Sequence, residues 1–247
     1  MKKLLLLVFA VTMVGSLAFG QTQVLSRNAV GYVRIDVKSN NLALCSDNFV
    51  GFSNTISGIF GNQLMGYSNI GTSDEIMVWS GTKYDRYWKP APLGGSTWVK
   101  YPSVTAATNT LSPGQTFWII NKQPSNQTVY LMGQVPDSQN FGSTSTVWCV
   151  EGLNMPAYSF PVDVAITQLN LASAKQGNNI GAGDNLWKWD ASIRNYVKYW
   201  KSPVGWVKYP ATTQTVDRIY PGEGFWYVRR TNTVMTWAET KPYSWPL

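Results

Sequence analysis

The residues that most often perform chemistry are sparse in this chain of 247 residues. Histidine is absent. That excludes imidazole-activated nucleophiles and removes the commonest transition-metal ligand. Thirteen acidic side chains remain, and one recurs in a repeated context. Asp74 follows Asn69-Ile70-Gly71-Thr72-Ser73, and Asp184 follows Asn179-Ile180-Gly181-Ala182-Gly183. Such a carboxylate could act as a general acid or a calcium ligand. The commoner role of an Asp in a Gly-containing loop ahead of a strand is to accept hydrogen bonds from nearby backbone. The next residue is Glu75 in one place and Asn185 in the other, so a metal site would not be charge-matched. Two carboxylates distant in sequence can form a glycosidase pair, but no spacing here points to one. The expectation is a protein that is not an enzyme, with no catalytic residue, no metal and no cofactor.

Two other residue types could carry function. Cys45 follows Leu42-Ala43-Leu44 and Cys149 follows Thr146-Val147-Trp148, which aligns them as equivalent positions. In an exported chain they could form a disulfide, closing a loop whose restriction is worth about 4–5 kcal/mol at most. The alternative is two small core hydrophobes in separate cores. The aromatic residues are the second signal. Trp88, Trp98 and Tyr101, with their counterparts Trp200, Trp206 and Tyr209, adjoin lysines and a connection of variable length. They are the candidate ligand-binding surface, because exposed indole and phenol rings stack on the apolar C–H faces of sugars. The competing role is core packing, where each ring removes roughly 150–250 Å² from water. Trp118 and Trp226, inside apolar runs, are assigned to the core.

The elements that must position these residues come in two copies. Trp98-Val99-Lys100-Tyr101-Pro102 recurs at Trp206 to Pro210, Tyr87-Trp88-Lys89 at Tyr199 to Lys201, and the Pro113-Gly114 to Phe117-Trp118 string at Pro221 to Trp226. The shared order marks an internal duplication. Copy one spans 21–136 and copy two 143–247, with 137–142 as linker. Strand signals dominate: Val30–Val37, a hairpin from Ile76 to Lys89 repeated from Leu186 to Lys201, and a final strand in each copy. Val30–Val37 has no evident counterpart ahead of Val147. Helix is confined to short turns near Ser57–Phe60 and after Asp163, the latter read as a cap. The expectation is an all-β fold of two related antiparallel, sandwich-like modules, separate or fused into one pseudo-symmetric body. Strand should reach about 40% and helix stay below about 15%, far from average usage.

The ends set the compartment. Lys2-Lys3, the apolar run Leu4–Val14 and the small residues Ala18 and Gly20 read as a secretory signal peptide over 1–20. Losing Lys2 and Lys3 leaves 18 basic against 13 acidic residues, a formal +5. These charges are scattered, unlike the basic stripe of a nucleic-acid binder, and no later segment has the roughly 18 apolar residues of a membrane-spanning helix.

Several strings taken together resemble tandem β-modules of exported bacterial proteins. They are Asn28-Ala29-Val30-Gly31-Tyr32-Val33, Pro161-Val162-Asp163-Val164-Ala165, Leu186-Trp187-Lys188-Trp189-Asp190, Pro221-Gly222-Glu223-Gly224-Phe225-Trp226, and Thr236-Trp237 through Trp245-Pro246. Copy one departs from the pattern at Leu44-Cys45-Ser46-Asp47 and at Thr116, where the second copy has Gly224. The resemblance implies export and an all-β fold. Function is expected to be structural or interactive, in the periplasm, at the cell surface or in a secreted matrix, with carbohydrate binding through exposed Trp and Tyr as the alternative. Cell-surface polysaccharide or other surface proteins are the expected partners.

Overall fold

A computed structural model describes residues 29–51, 53–90 and 97–244. The segment 1–20, read from the sequence as a signal peptide, most of the variable connection 90–97 and the last aromatic, Trp245, lie outside the described residues. The chain is all-β, with 44% strand and 4% helix, in two tandem halves of matching sheets.

The first half runs β1 (Val30–Val37), β2 (Asn41–Ser46), helix α1 (Ile56–Phe60), β3 (Glu75–Trp79), β4 (Tyr84–Trp88), β5 (Val99–Lys100), β6 (Thr116–Asn121) and β7 (Gln127–Gln134). β1 and β7 form an antiparallel ribbon, and the other strands a sheet ordered β2-β6-β3-β4-β5. The second half opens with β8 (Thr144–Cys149), β9 (Gly152–Asn154), β10 (Val164–Ala165) and a single 3-10 turn at Ile166–Gln168. It continues with β11 (Asn185–Asp190), β12 (Asn195–Ser202), β13 (Gly205–Lys208), β14 (Arg218–Ile219), β15 (Phe225–Arg229) and β16 (Met235–Thr240). β8 and β16 form the matching ribbon, and β9-β15-β11-β12-β13 repeats the five-stranded order.

The ribbon supplies the counterpart that Val30–Val37 lacks in the sequence. β8 pairs with β16 as β1 pairs with β7, Cys149 opposite Met235 and Val37 opposite Gln127. Cys149 therefore corresponds to Val37, not to Cys45. Cys45 lies in β2 opposite Phe117, a register whose equivalent in the second half is Pro156. Asp163 does not cap a helix. It pairs with Arg218 beside the short β10–β14 ladder, and the 3-10 turn has Ala165 at its N-cap position, with no side-chain cap. Thr55 does cap α1, accepting from the Gly58 N–H at 3.1 Å.

Strand alternation divides each five-stranded sheet between two cores. Phe117, Ile119, Ile76 and Cys45 face the core of their own half with Trp98 and Phe60. Leu44, Trp118, Met77 and Trp79 point the other way, into a third cluster shared with Met155, Trp226, Trp187, Trp189 and Tyr196 of the second half. Within it Trp79 meets Trp226 edge to face at 5.3 Å, and Trp118 meets Trp189 at 5.4 Å. The indole N–H of Trp118 donates to Tyr84 Oη at 3.0 Å, and that of Trp226 to Tyr196 Oη at 3.1 Å. Each contact has its mate under exchange of the halves.

Backbone bonds at this seam obey the same pseudo-twofold. Gly224 N donates to Leu44 O at 3.1 Å and Thr116 N to Met155 O at 3.0 Å; Ser46 N donates to Gly222 O at 3.0 Å and Ala157 N to Gly114 O at 2.8 Å. The Pro-Gly turns are reciprocal plugs. Gln115 N bonds Ser112 O and Glu223 N bonds Tyr220 O, with Gly114 at φ +93° and Gly222 at φ +84°, the geometry of a type II turn. Each glycine also abuts the opposite half: a Cβ on Gly222 would stand 2.5 Å from Val33 Cγ1, and one on Gly114 would stand 2.7 Å from Ser159 Oγ. Both positions exclude a side chain twice over, by dihedral and by space.

Candidate functional site

The recurrent carboxylates are structural clasps. Asp74 is fully buried and accepts from Met65 N at 2.9 Å, Lys122 N at 2.9 Å and Gln123 Nε2 at 3.0 Å. Asp184, equally buried, accepts from Lys175 N, Arg230 N, Tyr227 Oη and Arg229 Nη1. Each tethers the loop ahead of β3 or β11 to the end of the neighbouring strand β6 or β15. Glu75 is held by a two-pronged Arg86 contact, 2.7 and 2.8 Å, and by Lys122. Its counterpart Asn185 uses its amide on Ile180 O and Gly183 O.

One buried carboxylate has less support. Asp47, 2% exposed, accepts from Phe49 N at 3.0 Å, and burial pushes its pKa up to about 6 from 3.8. The folded chain keeps this proton up to about pH 6, whereas the unfolded chain releases it near 3.8. The stability tied to the proton is whole below about pH 4 and is lost as pH rises through 6. Asp47→Asn, neutral throughout, should exceed the parent in stability at pH 7 by up to about 3 kcal/mol. The gain should shrink to nothing near pH 4 in urea unfolding; parallel pH profiles for the two proteins would contradict this.

The six residues expected to form a binding surface do not form one. Trp98 and Trp206 are at most 2% exposed, and Trp88 and Trp200 are also buried. Trp98 donates to Gly61 O at 3.1 Å and packs on Phe60, and Trp206 packs against Tyr227. For Trp98 and Trp206, burial in the core of their own half outweighs a surface role. Tyr101 and Tyr209 alone are exposed, one per half. Tyr101 has the Arg86 guanidinium 5.3 Å from its ring centroid.

The cysteines also part company. Both are buried free thiols, Cys45 in the core of the first half and Cys149 in that of the second. The disulfide alternative is not realised; the core alternative is. Burial raises both thiol pKa values, that of Cys149 to about 12, so neither forms a reactive thiolate at neutral pH.

Two clefts lie at the seam, and the pseudo-twofold relates them. One, of about 330 Å³, lies between β1, β2 and the Pro221-Gly222 turn. Its charges are paired with one another: Arg34 with Asp36 at 3.0 Å, and Lys188 with Glu223 at 2.7 Å. The other, of about 390 Å³, lies between β8, β9 and the Pro113-Gly114 turn. Position by position its lining is neutral. Thr146 stands for Arg34, Trp148 for Asp36 and Gln115 for Glu223. Trp148 is 69% exposed, with exposed Val150 and Leu153 nearby. Trp79 forms part of the wall, its indole N–H fixed on Leu153 O at 3.2 Å. Sequence reading placed Trp148 beside a cysteine and gave it no role. The signal available was its place in the alternation Thr144, Thr146, Trp148, an otherwise polar outward face.

A second outward surface lies on the first ribbon. Tyr32 is paired across the ladder with Met132 and meets Tyr130 edge to face at 6.1 Å, and Val30 continues the patch. All four side chains are exposed. Comparison with protein-family models, curated proteins and solved structures finds no match to this chain.

Proposed function

We propose that this chain is an exported, non-catalytic interaction protein of the periplasm, cell surface or secreted matrix. The observation that carries this reading is the division of its side chains. Its recurrent carboxylates and its cysteines point inward and serve the fold, while contiguous apolar side chains, Val30, Tyr32, Tyr130 and Met132, face outward on one ribbon. Exposed apolar clusters of this kind mark protein or surface contacts. The leader-like segment Lys2 to Gly20 supports export, and among the described residues no helix is long and apolar enough to cross a membrane.

Expression in a bacterial host followed by intact-mass analysis should find the chain outside the cytoplasm, beginning at or within a few residues of Gln21. It should co-sediment with isolated cell envelopes, and Tyr32→Ser combined with Met132→Ser should reduce that retention severalfold. A cytoplasmic protein retaining Met1, or retention indifferent to both substitutions, would overturn the reading.

A further inference from the structure

We infer that the neutral seam cleft beside Trp148 binds a neutral sugar ring of a polysaccharide, with the Trp148 indole as stacking platform. The inference rests on the interaction reading above and supplies the ligand class.

The argument is an internal comparison. The pseudo-twofold places two clefts of nearly the same size on the same backbone frame, each built from a ribbon strand, a sheet edge and a Pro-Gly turn of the other half. In the charged cleft the polar groups are spent on each other. Asp36 takes Arg34 and the Thr128 hydroxyl. Lys188 takes Glu223 and Arg218 O, with its ammonium 5.7 Å from the Tyr220 ring centroid. Among the described residues, each charged side chain of that cleft has a charged partner.

In the neutral cleft the Arg34 and Asp36 positions carry a hydroxyl and an indole. Among the described residues the Thr146 hydroxyl and the Gln115 side-chain amide have no hydrogen-bond partner, and both line the cleft. An aromatic plate, aliphatic neighbours at Val150 and Leu153, and unspent neutral donors and acceptors suit a ligand with an apolar face and hydroxyls on its rim. A pyranose has that form. The lack of charge in the lining disfavours an anionic polymer, which would seek cations.

Affinity electrophoresis of the mature protein through gels holding hydroxyethylcellulose, mannan, xylan or dextran, and separately alginate, tests the inference. Retardation is expected with at least one of the four neutral polymers. It should persist in 1 M NaCl and fall at least tenfold in Trp148→Ala, whose exposed site leaves the fold intact by circular dichroism. Asp36→Ala, the pseudo-equivalent change in the charged cleft, should keep full retardation. No retardation by any neutral polymer, retardation unchanged in Trp148→Ala, or Trp148-dependent binding to alginate alone overturns the site. Envelope sedimentation separates the two readings: a parent protein that sediments with envelopes while no neutral polymer retards it sinks this inference and leaves the interaction reading standing.

Discussion

Trp226→Ala is expected to cost about 3–5 kcal/mol of unfolding free energy, the range for emptying a large aromatic core site. The side chain is 5% exposed, stands edge to face against Trp79 of the other half, and donates to Tyr196 Oη. Its loss removes packing from both halves at once. Because the shared cluster belongs to neither half alone, urea unfolding of the parent should be one transition, coincident by tryptophan fluorescence and circular dichroism. The Trp79→Ala and Trp226→Ala pair should be non-additive in a double-mutant cycle, as contacting residues are. Two separated transitions, or a cost below about 1 kcal/mol, would mean that the halves fold independently.

Asp184→Ala should be comparably damaging for a different reason. It strands Arg229, whose side chain is 3% exposed and whose Nη1 lies 3.2 Å from the Asp184 carboxylate. Removing one partner of a buried ion pair costs about 3–5 kcal/mol, chiefly because the remaining charge stays out of water. Asp74→Ala takes away the corresponding clasp but leaves neutral donors, Met65 N, Lys122 N and Gln123 Nε2. Its cost should be nearer 1–3 kcal/mol, that of unsatisfied neutral groups. Arg229→Leu in the Asp184→Ala background should restore part of the loss. Equal costs for the two Asp substitutions in urea unfolding would contradict the assignment.

The repeat made the fold legible because its marks are local. Pro-Gly turns, alternating strands and the Trp79–Tyr84 hairpin are written in adjacent residues, and the tandem sheets follow from them. The ribbon pairing of β8 with β16 was not legible, since Val30–Val37 and Thr144–Cys149 share almost no residue types and their equivalence lies in register alone. The same blindness made Cys45 and Cys149 look equivalent. The candidate surface failed for a related reason: Trp98 and Trp206 stand two residues before lysines on the same strand face, but the indoles pack into the cores while Lys100 and Lys208 reach Asp85 and Asp217, a division that proximity in sequence does not reveal. The departure at Thr116 had no sequence rationale, and the structure provides one. Thr116 Oγ1 bonds Pro156 O, and a Cβ on Gly224 would lie 2.4 Å from Thr116 Cγ2. The two positions face each other across the pseudo-axis, where there is room for one side chain.

That last contact bears on ancestry. Reciprocal bonds about a twofold are what two identical chains make in an isologous homodimer, so a single ancestral copy could have closed on itself through this seam. In a homodimer every position on the axis meets its own duplicate. A threonine there would collide with a threonine, and any substitution in one cleft would appear in the other. Joining the copies into one polypeptide removes that coupling. Thr116 can then oppose Gly224, and one cleft can lock itself with ion pairs while its twin trades them for an indole. The linkage thus lets one scaffold hold two clefts that mutate independently, an asymmetry no homodimer of this module could encode.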